Sequence, residues 1–215
     1  KVEKQEDLSN ALDQLLNTEN AFLLEVKVAK QSANKSVNAA ERRADWWLYG
    51  GIYRPVWLTI TEQNNITVTD CASPGVYITQ RNVSKRSADI TVKVKLDNGS
   101  LTPADLVLEN TIYTQNGKKV TSHRLPLVLT PQGTQTYIST FKLNKPHLWQ
   151  GRKDPYLYKV ISRLLADGKV IDEVVQPLGV RRYEIVVGKG FYLNGEKYPM
   201  YGVTRHQDWW GLGSA

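Results

Sequence analysis

Two short stretches of the chain collect the side chains best suited to chemistry. The first runs Ala44-Asp45-Trp46-Trp47-Leu48-Tyr49-Gly50-Gly51-Ile52-Tyr53-Arg54-Pro55-Val56-Trp57-Leu58 and sets one carboxylate among three tryptophans, two tyrosines and a glycine pair. The second is Arg205-His206-Gln207-Asp208-Trp209-Trp210, near the other end. A carboxylate oxygen on a loop held rigid by packed aromatics suits a sugar hydroxyl or a sodium ion. The indole faces of Trp46, Trp47, Trp209 and Trp210 suit stacking on a pyranose ring. Each feature also has a plainer reading. Asp45 could cap a turn or pair with Arg42 or Arg43, the tryptophans could be core or interface packing, and Arg205, His206 and Asp208 could form a salt-bridged loop.

Other chemistries find no motif. There is no nucleophile elbow, phosphate loop or dinucleotide fingerprint. His123 and His147 have no partner at zinc-ligand spacing. Cys71 is the only cysteine, which removes internal disulfides and cysteine-based metal sites; at the end of the strand-like Ile66–Cys71 it reads as a small buried hydrophobe.

The elements that must position these stretches are almost all strands. Asp7–Leu16 reads as a short capped helix and Asn20–Val28 as a strand; a polar loop over 31–43 then leads to the Asp45 loop and a strand Ile52–Thr61, with Pro55 suited only to its edge or entry. These are too few strands for a self-contained sheet. From Asn64 to about Glu184, short alternating strands over 65–72, 75–82, 88–97, 105–115, 119–129, 134–143, 156–165 and 169–183 predict an all-β sandwich. Asn116-Gly117, Asp167-Gly168 and Asn194-Gly195 read as hairpin turns, because Asn-Gly and Asp-Gly tolerate the positive φ of type I′ geometry. After the last of these, Pro199–Val203 reads as a short buried strand.

Composition fits a globular domain, with 41% apolar and 23% charged residues. No apolar run reaches the roughly 20 residues that span a bilayer. Opening on KVEKQED without a methionine, the chain reads as a mature or excised form, so its lack of a signal says nothing of the parent's compartment. The formal net charge of +7 raises nucleic acid as a partner. All of the surplus, however, lies in residues 63–185, which carry 17 basic and 10 acidic side chains. There lysines alternate with apolar residues, as in Ile90-Thr91-Val92-Lys93-Val94-Lys95-Leu96, the pattern of a half-buried strand with a wet outer face. A nucleic-acid partner is not expected.

DWWLYGGIYRPVWL resembles the segment that closes the sugar-binding sandwich of glycoside hydrolase family 2, where a similar (S/G)GI(Y/F)R motif follows an aspartate. HLWQGRKDPYLYKV and GFYLNGEKYPMYGVTRHQDWWGLGSA are similar to two later segments of that family, in the same order. The resemblance implies three parts: the C-terminal part of a jelly-roll sugar-binding domain (1–62), an immunoglobulin-like β-sandwich (63–185) and the first strand of a (β/α)8 catalytic barrel (186–215). It implies that Asp45 touches the sugar and helps hold a monovalent cation, that Arg205, His206 and Asp208 line the sugar pocket, and that Trp46 and Trp209 are candidates for stacking. Trp209-Trp210 departs from the commoner motif, and Gln207 stands for the usual glutamate.

A retaining glycosidase sets two carboxylates roughly 5–5.5 Å apart across the scissile bond. In the family both glutamates come from later barrel strands, so no catalytic residue is expected in this chain and the chain alone is expected to be inactive. The parent implied is a β-galactosidase-like enzyme acting on a carbohydrate, with a monovalent or divalent cation and a homo-oligomeric state among the family's features. The competing class is a non-catalytic carbohydrate-binding or adhesion module, which has no use for a tail leading into a barrel.

Overall fold

A computed structural model of the chain describes residues 59–71 and 73–204. Ile60–Pro199 belong to one compact unit, Thr59 and Met200–Thr204 to a second. The helix expected over Asp7–Leu16, the strand Asn20–Val28 and residues 52–58 of the strand Ile52–Thr61 lie outside the described residues; Thr59–Thr61 carry no strand.

The first unit is all-β. One sheet contains β1 (Asn64–Ile66), β2 (Val76–Arg81), β3 (Ser87–Asn98) and β6 (Gly133–Asn144). The second contains β4 (Ala104–Tyr113), β5 (Lys119–Leu129), β7 (Tyr158–Ala166) and β8 (Lys169–Leu178) in the order β5-β4-β7-β8. All pairings are antiparallel. β1 and β2 follow one another along one edge of β3, with Ile66 opposite Leu96 and Val76 opposite Val94, and β6 runs along the other edge. A small third sheet is built from β9 (Tyr183–Val186), β10 (Gly190–Leu193) and β11 (Glu196–Lys197).

Strict alternation makes the two large sheets a sandwich. Along β3 every second residue from Ala88 to Asn98 is buried, and its inward side chains Ile90, Val92, Val94 and Leu96 are fully enclosed. They pack in one core with Leu108 and Ile112 of β4, Leu129 of β5, Phe141 of β6 and Val160 and Leu164 of β7. Each fully buried aliphatic of this size contributes about 1.5–3 kcal/mol, so this double row is the main source of stability. The outward positions carry charge instead. Arg124, Glu109, Arg163 and Glu173 stand side by side across β5-β4-β7-β8, joined at 3.5, 3.9 and 2.6 Å.

A cluster of polar residues breaks the apolar pattern of the interior. Asn110 and its cross-strand partner Ser162 are fully buried, and the Ser162 hydroxyl donates to Asn110 Oδ1 at 2.5 Å. Asn110 Nδ2 donates across the sandwich to buried Ser139 Oγ at 2.9 Å, and Ser139 Oγ lies 3.0 Å from His123 Nδ1 at the rim. The two sheets are therefore joined by a satisfied polar chain as well as by apolar contact.

At the other margin β8 is tied to β1 and β2 by side chains. Asp172 Oδ2 accepts the Ile66 N–H at 2.7 Å, Gln176 Nε2 donates to the Val76 carbonyl at 3.0 Å, and Gln80 Nε2 donates to the Gly179 carbonyl at 3.2 Å. Burial pushes the Asp172 carboxyl above its ordinary value, against the pull of the amides of Ile66 and Glu173.

Several boundaries differ from the sequence pattern for identifiable reasons. The strand expected over 65–72 stops at Ile66, because the chain turns out into a loop before β2. Asp70 pins that loop, taking Lys95 Nζ at 2.8 Å and the Tyr77 hydroxyl, and these bonds hold its carboxyl below the ordinary value. Cys71 is consequently exposed at φ 52° rather than buried in a strand. Gly75 closes the loop at φ 70°, with its Cα so near the Thr67 carbonyl that a Cβ would sit 2.4 Å from the oxygen. Asp167-Gly168 and Asn194-Gly195 have both residues at positive φ, as type I′ turns require. Asn116-Gly117 does not: only Gly117 is at positive φ, and Gly117 N–H donates to the Thr114 carbonyl at 3.0 Å, a turn followed by a left-handed glycine, with a register shift at Ile112/Tyr113. The single strand expected over 169–183 divides into β8 and β9. Met200–Thr204 carry no strand; a strand exists by pairing, and no described segment pairs with them.

Candidate functional site

The residues marked by the sequence for sugar and cation contacts, Asp45, Trp46, Arg205, His206, Asp208 and Trp209, all lie outside the described residues, as does the fit of Asp45 to a monovalent cation. The described residues that bear on function are those around the second motif, HLWQGRKDPYLY, and the hairpin of the third.

Lys145–Tyr158 connects β6 to β7 across the end of the sandwich, and side chains fix its course. The Tyr158 hydroxyl accepts His147 N–H at 2.9 Å, and burial raises the phenol above its usual value. His147 stacks on Tyr156 with centroids 4.0 Å apart and bonds Asp154 through Nε2 at 2.6 Å, so motif His and motif Asp close one loop on each other. Gly151 is buried at φ 64° under the Tyr198 ring, where any Cβ would lie 2.3 Å from the hydroxyl oxygen; the same hydroxyl accepts Arg152 N–H at 3.1 Å. Asn194, in the β10–β11 turn, donates to the Trp149 carbonyl at 3.0 Å and clamps Arg182, accepting its N–H at 3.0 Å and donating its own N–H to the Arg182 carbonyl at 2.8 Å. The motif's glycine, tyrosines and asparagine thus lock the connection onto the small sheet.

Beside this junction, Gln80–Val83 at the end of β2 and Arg181–Tyr183 after β8 face each other across a cleft of about 370 Å³. Gln80 staples the walls, its Oε1 accepting Arg181 N–H at 2.9 Å. The Arg181 guanidinium lies 4.9 Å over the Trp149 ring and donates to the Gly179 carbonyl at 3.1 Å. Arg182 packs its guanidinium over Gly195, 2.8 Å from where a Cβ would be. Arg81 completes the basic lining. These arginines escape sequence reading because packing alone unites residues a hundred positions apart; the Arg181-Arg182 doublet is the one local sign.

The carboxylates of the sandwich are largely committed. Asp70 serves Lys95 and Tyr77, Glu109 and Glu173 serve Arg163, Asp154 serves His147, Asp172 takes backbone amides, Asp89 takes Asn82 Nδ2 at 2.7 Å and Asp97 takes the Thr134 hydroxyl at 2.6 Å. Among the described residues no three His, Cys, Asp or Glu side chains converge on a metal position, and no helix is long and apolar enough to cross a membrane.

Against known proteins, the family model for glycosyl hydrolases family 2 matches residues 74–181, the sandwich from the Gly75 loop to Arg181. A β-glucuronidase of Bacteroides fragilis is 42% identical over 172 residues, covering 80% of this chain and 24% of that protein. A crystal structure of a candidate β-galactosidase from Bacteroides fragilis superposes with a TM-score of 0.75 at 81% identity, covering 78% of this chain and 25% of that one. Bacteroides uniformis β-glucuronidase 2, solved covalently bound to cyclophellitol-6-carboxylate aziridine, gives a TM-score of 0.75 at 29% identity over 80% of this chain and 21% of its own. The chain therefore spans about a quarter of the length of these relatives. With the sandwich, its motif-built junction and the family match coinciding on the same residues, the chain belongs to glycosyl hydrolases family 2.

Proposed function

We propose that the chain is a non-catalytic portion of a retaining β-glycosidase whose full-length form hydrolyses O-glycosyl bonds, with a β-galactoside as substrate. The observation that carries this reading is the family match lying on a sandwich most of whose carboxylates are tied to cations, amides and hydroxyls. Acid–base hydrolysis needs two carboxyl groups facing one bond, so scaffolding rather than turnover is the role of these strands. The strand order, β1 and β2 with β3 and β6 against β5-β4-β7-β8, supports an immunoglobulin-like assignment for 63–185. In this reading 1–62 ends a jelly-roll sugar-binding domain and 186–215 opens the catalytic barrel. Asp45, Arg205, His206 and Asp208 then form part of the pocket wall, with Trp46 and Trp209 for stacking and a monovalent cation at Asp45.

A second substrate reading, a β-glucuronide, is favoured by the name of the 42% identical relative. The covalent adduct of the Bacteroides uniformis enzyme supports retention, since a nucleophile that forms a glycosyl-enzyme is what such an inhibitor traps.

The test is hydrolysis of chromogenic β-galactoside, β-glucuronide and β-mannoside by this chain and by the protein extended through its reading frame. The expected result is turnover by the extended form alone, weakened by Asp208→Ala, with the preferred glycone naming the sugar. Turnover by the 215-residue chain itself would overturn the proposal. A non-catalytic binding module, the competing class, predicts no turnover by either.

A further inference from the structure

We infer that the cleft between Gln80–Val83 and Arg181–Tyr183 is a binding site for an oxyanion carried on a carbohydrate, a uronate carboxylate or a sulfate ester. The inference rests on the cleft and stands whether or not the full-length protein cleaves a galactoside.

Charge comes first. Three arginine residues, Arg81, Arg181 and Arg182, line about 370 Å³, and no acidic residue lines it with them. The nearest acid by register is Asp89, the cross-strand partner of Arg81, and its Oδ2 is taken by Asn82 Nδ2 at 2.7 Å. Glu184 follows on β9, one residue beyond the lining. The cleft is therefore lined by cationic residues alone, and an oxyanion accepts charge-assisted, bidentate N–H donation from arginine.

Preorganisation comes second. A long arginine ordinarily loses much side-chain entropy when it binds, on the order of 2 kcal/mol. Here two of the three side chains are already in contact, Arg181 with the Trp149 face and the Gly179 carbonyl and Arg182 with the surface of Gly195, while Asn194 fixes the Arg182 backbone. The walls cannot drift apart, because both ends of the Gln80 amide bridge them. A merely solvated charge cluster needs none of these supports.

The carbohydrate follows from Tyr183. Tyr183 is 67% exposed at the cleft wall and its ring is backed on one face by Phe191 at 6.0 Å, which leaves an aromatic surface on a cleft lined by arginines. A pyranose lying on that ring places an acidic substituent against the arginines, and a small inorganic anion would leave the ring unused.

The experiment is calorimetric titration of the 215-residue chain with tetragalacturonate, a sulfated chondroitin disaccharide, cellotetraose and inorganic sulfate, at low and at physiological salt. The expected result is binding of one or both acidic sugars, weakened by salt and absent for cellotetraose. Arg182→Gln should lower affinity on the order of tenfold to a hundredfold, as loss of a charge-assisted pair does. Tyr183→Ala should weaken the acidic sugars and leave any sulfate binding unchanged. Lys159→Gln, on the outer face of β7, should change nothing, and Arg81→Gln provides a second probe should Arg182→Gln fail to fold. Preference for the uronate or for the sulfated sugar identifies the source of the oxyanion. Equal binding of cellotetraose, indifference to both arginine variants, an equal effect of Lys159→Gln, or no binding at low salt would each overturn the inference.

Discussion

Replacing Asn110 by alanine tests the polar chain that joins the two sheets. Asn110 is fully buried and makes one bond in each direction, accepting from Ser162 at 2.5 Å and donating to Ser139 at 2.9 Å. Alanine removes both, strands the Ser162 hydroxyl at 0% exposure, and leaves the Ser139 hydroxyl, 1% exposed, with His123 Nδ1 as its remaining partner. The stranded group costs about 1–3 kcal/mol, and the space left by the amide adds to that, so the variant should lose about 2–4 kcal/mol. For a domain of this size that lowers the melting temperature by about 10 °C or more. The triple variant Asn110→Leu, Ser139→Ala, Ser162→Ala removes donors and acceptors together and should return to within about 1 kcal/mol of the starting protein, since His123 lies at the rim where water replaces Ser139. Thermal and urea unfolding of the three proteins decide the matter. A loss below about 1 kcal/mol in Asn110→Ala, or a triple variant as unstable as the single one, would refute the reasoning, because either outcome means that unsatisfied polarity is not what the substitution exposes.

Three further outcomes are expected. Because burial raises the Asp172 carboxyl above its unfolded value, its contribution to stability is fully present below the unfolded pKa of about 4 and is lost as pH rises through the higher folded value; Asp172→Asn keeps an acceptor for Ile66 N–H and should flatten that decline, which urea midpoints between pH 4 and 7 would reveal as converging or parallel curves. Gly151→Ala meets both a left-handed φ and the Tyr198 hydroxyl and should cost about 2–3 kcal/mol, with amide exchange at Arg152 accelerated; Tyr198→Ala in the same chain should add less than it does alone. Arg163→Met removes the centre of the charged row on the outer face, yet at that exposure it should cost no more than about 1 kcal/mol, and a larger loss would mean the row is coupled as a network.

The sandwich was largely legible because period-two patterning fixes which residues face inward. β5 runs Lys119–Leu129 as its alternation predicts, and β3 and β6 extend one residue beyond the expected ends on each side. What pattern could not supply were interactions between distant segments. Asp70 reads as a strand residue until Lys95 and Tyr77 come to it, and its capture is what shortens β1 and exposes Cys71. Asn110 and Ser162 sit at inward parity, but their pairing needs the strand register and the third member, Ser139, needs the opposing sheet. The arginine cleft has no linear signature beyond the Arg181-Arg182 doublet, since β2 and the end of β8 meet only in the fold. Of the pocket residues read from motifs, none lies among the described residues, so the family match rests on scaffold rather than on chemistry.

The pair of glutamines between β2 and β8 bears on how this domain behaves at high concentration. A strand at the margin of a sheet presents unpaired carbonyls that another molecule's strand can adopt, the first step of many ordered aggregates. Gln176 occupies the Val76 carbonyl and Gln80 the Gly179 carbonyl, so the two margins hide each other behind amides that cannot be extended into a ladder. Such a closure depends on side-chain length: asparagine falls short by a methylene, and valine offers no donor. Loss of a single glutamine would thus show itself less in melting temperature than in shelf life, as a folded domain that slowly recruits copies of itself.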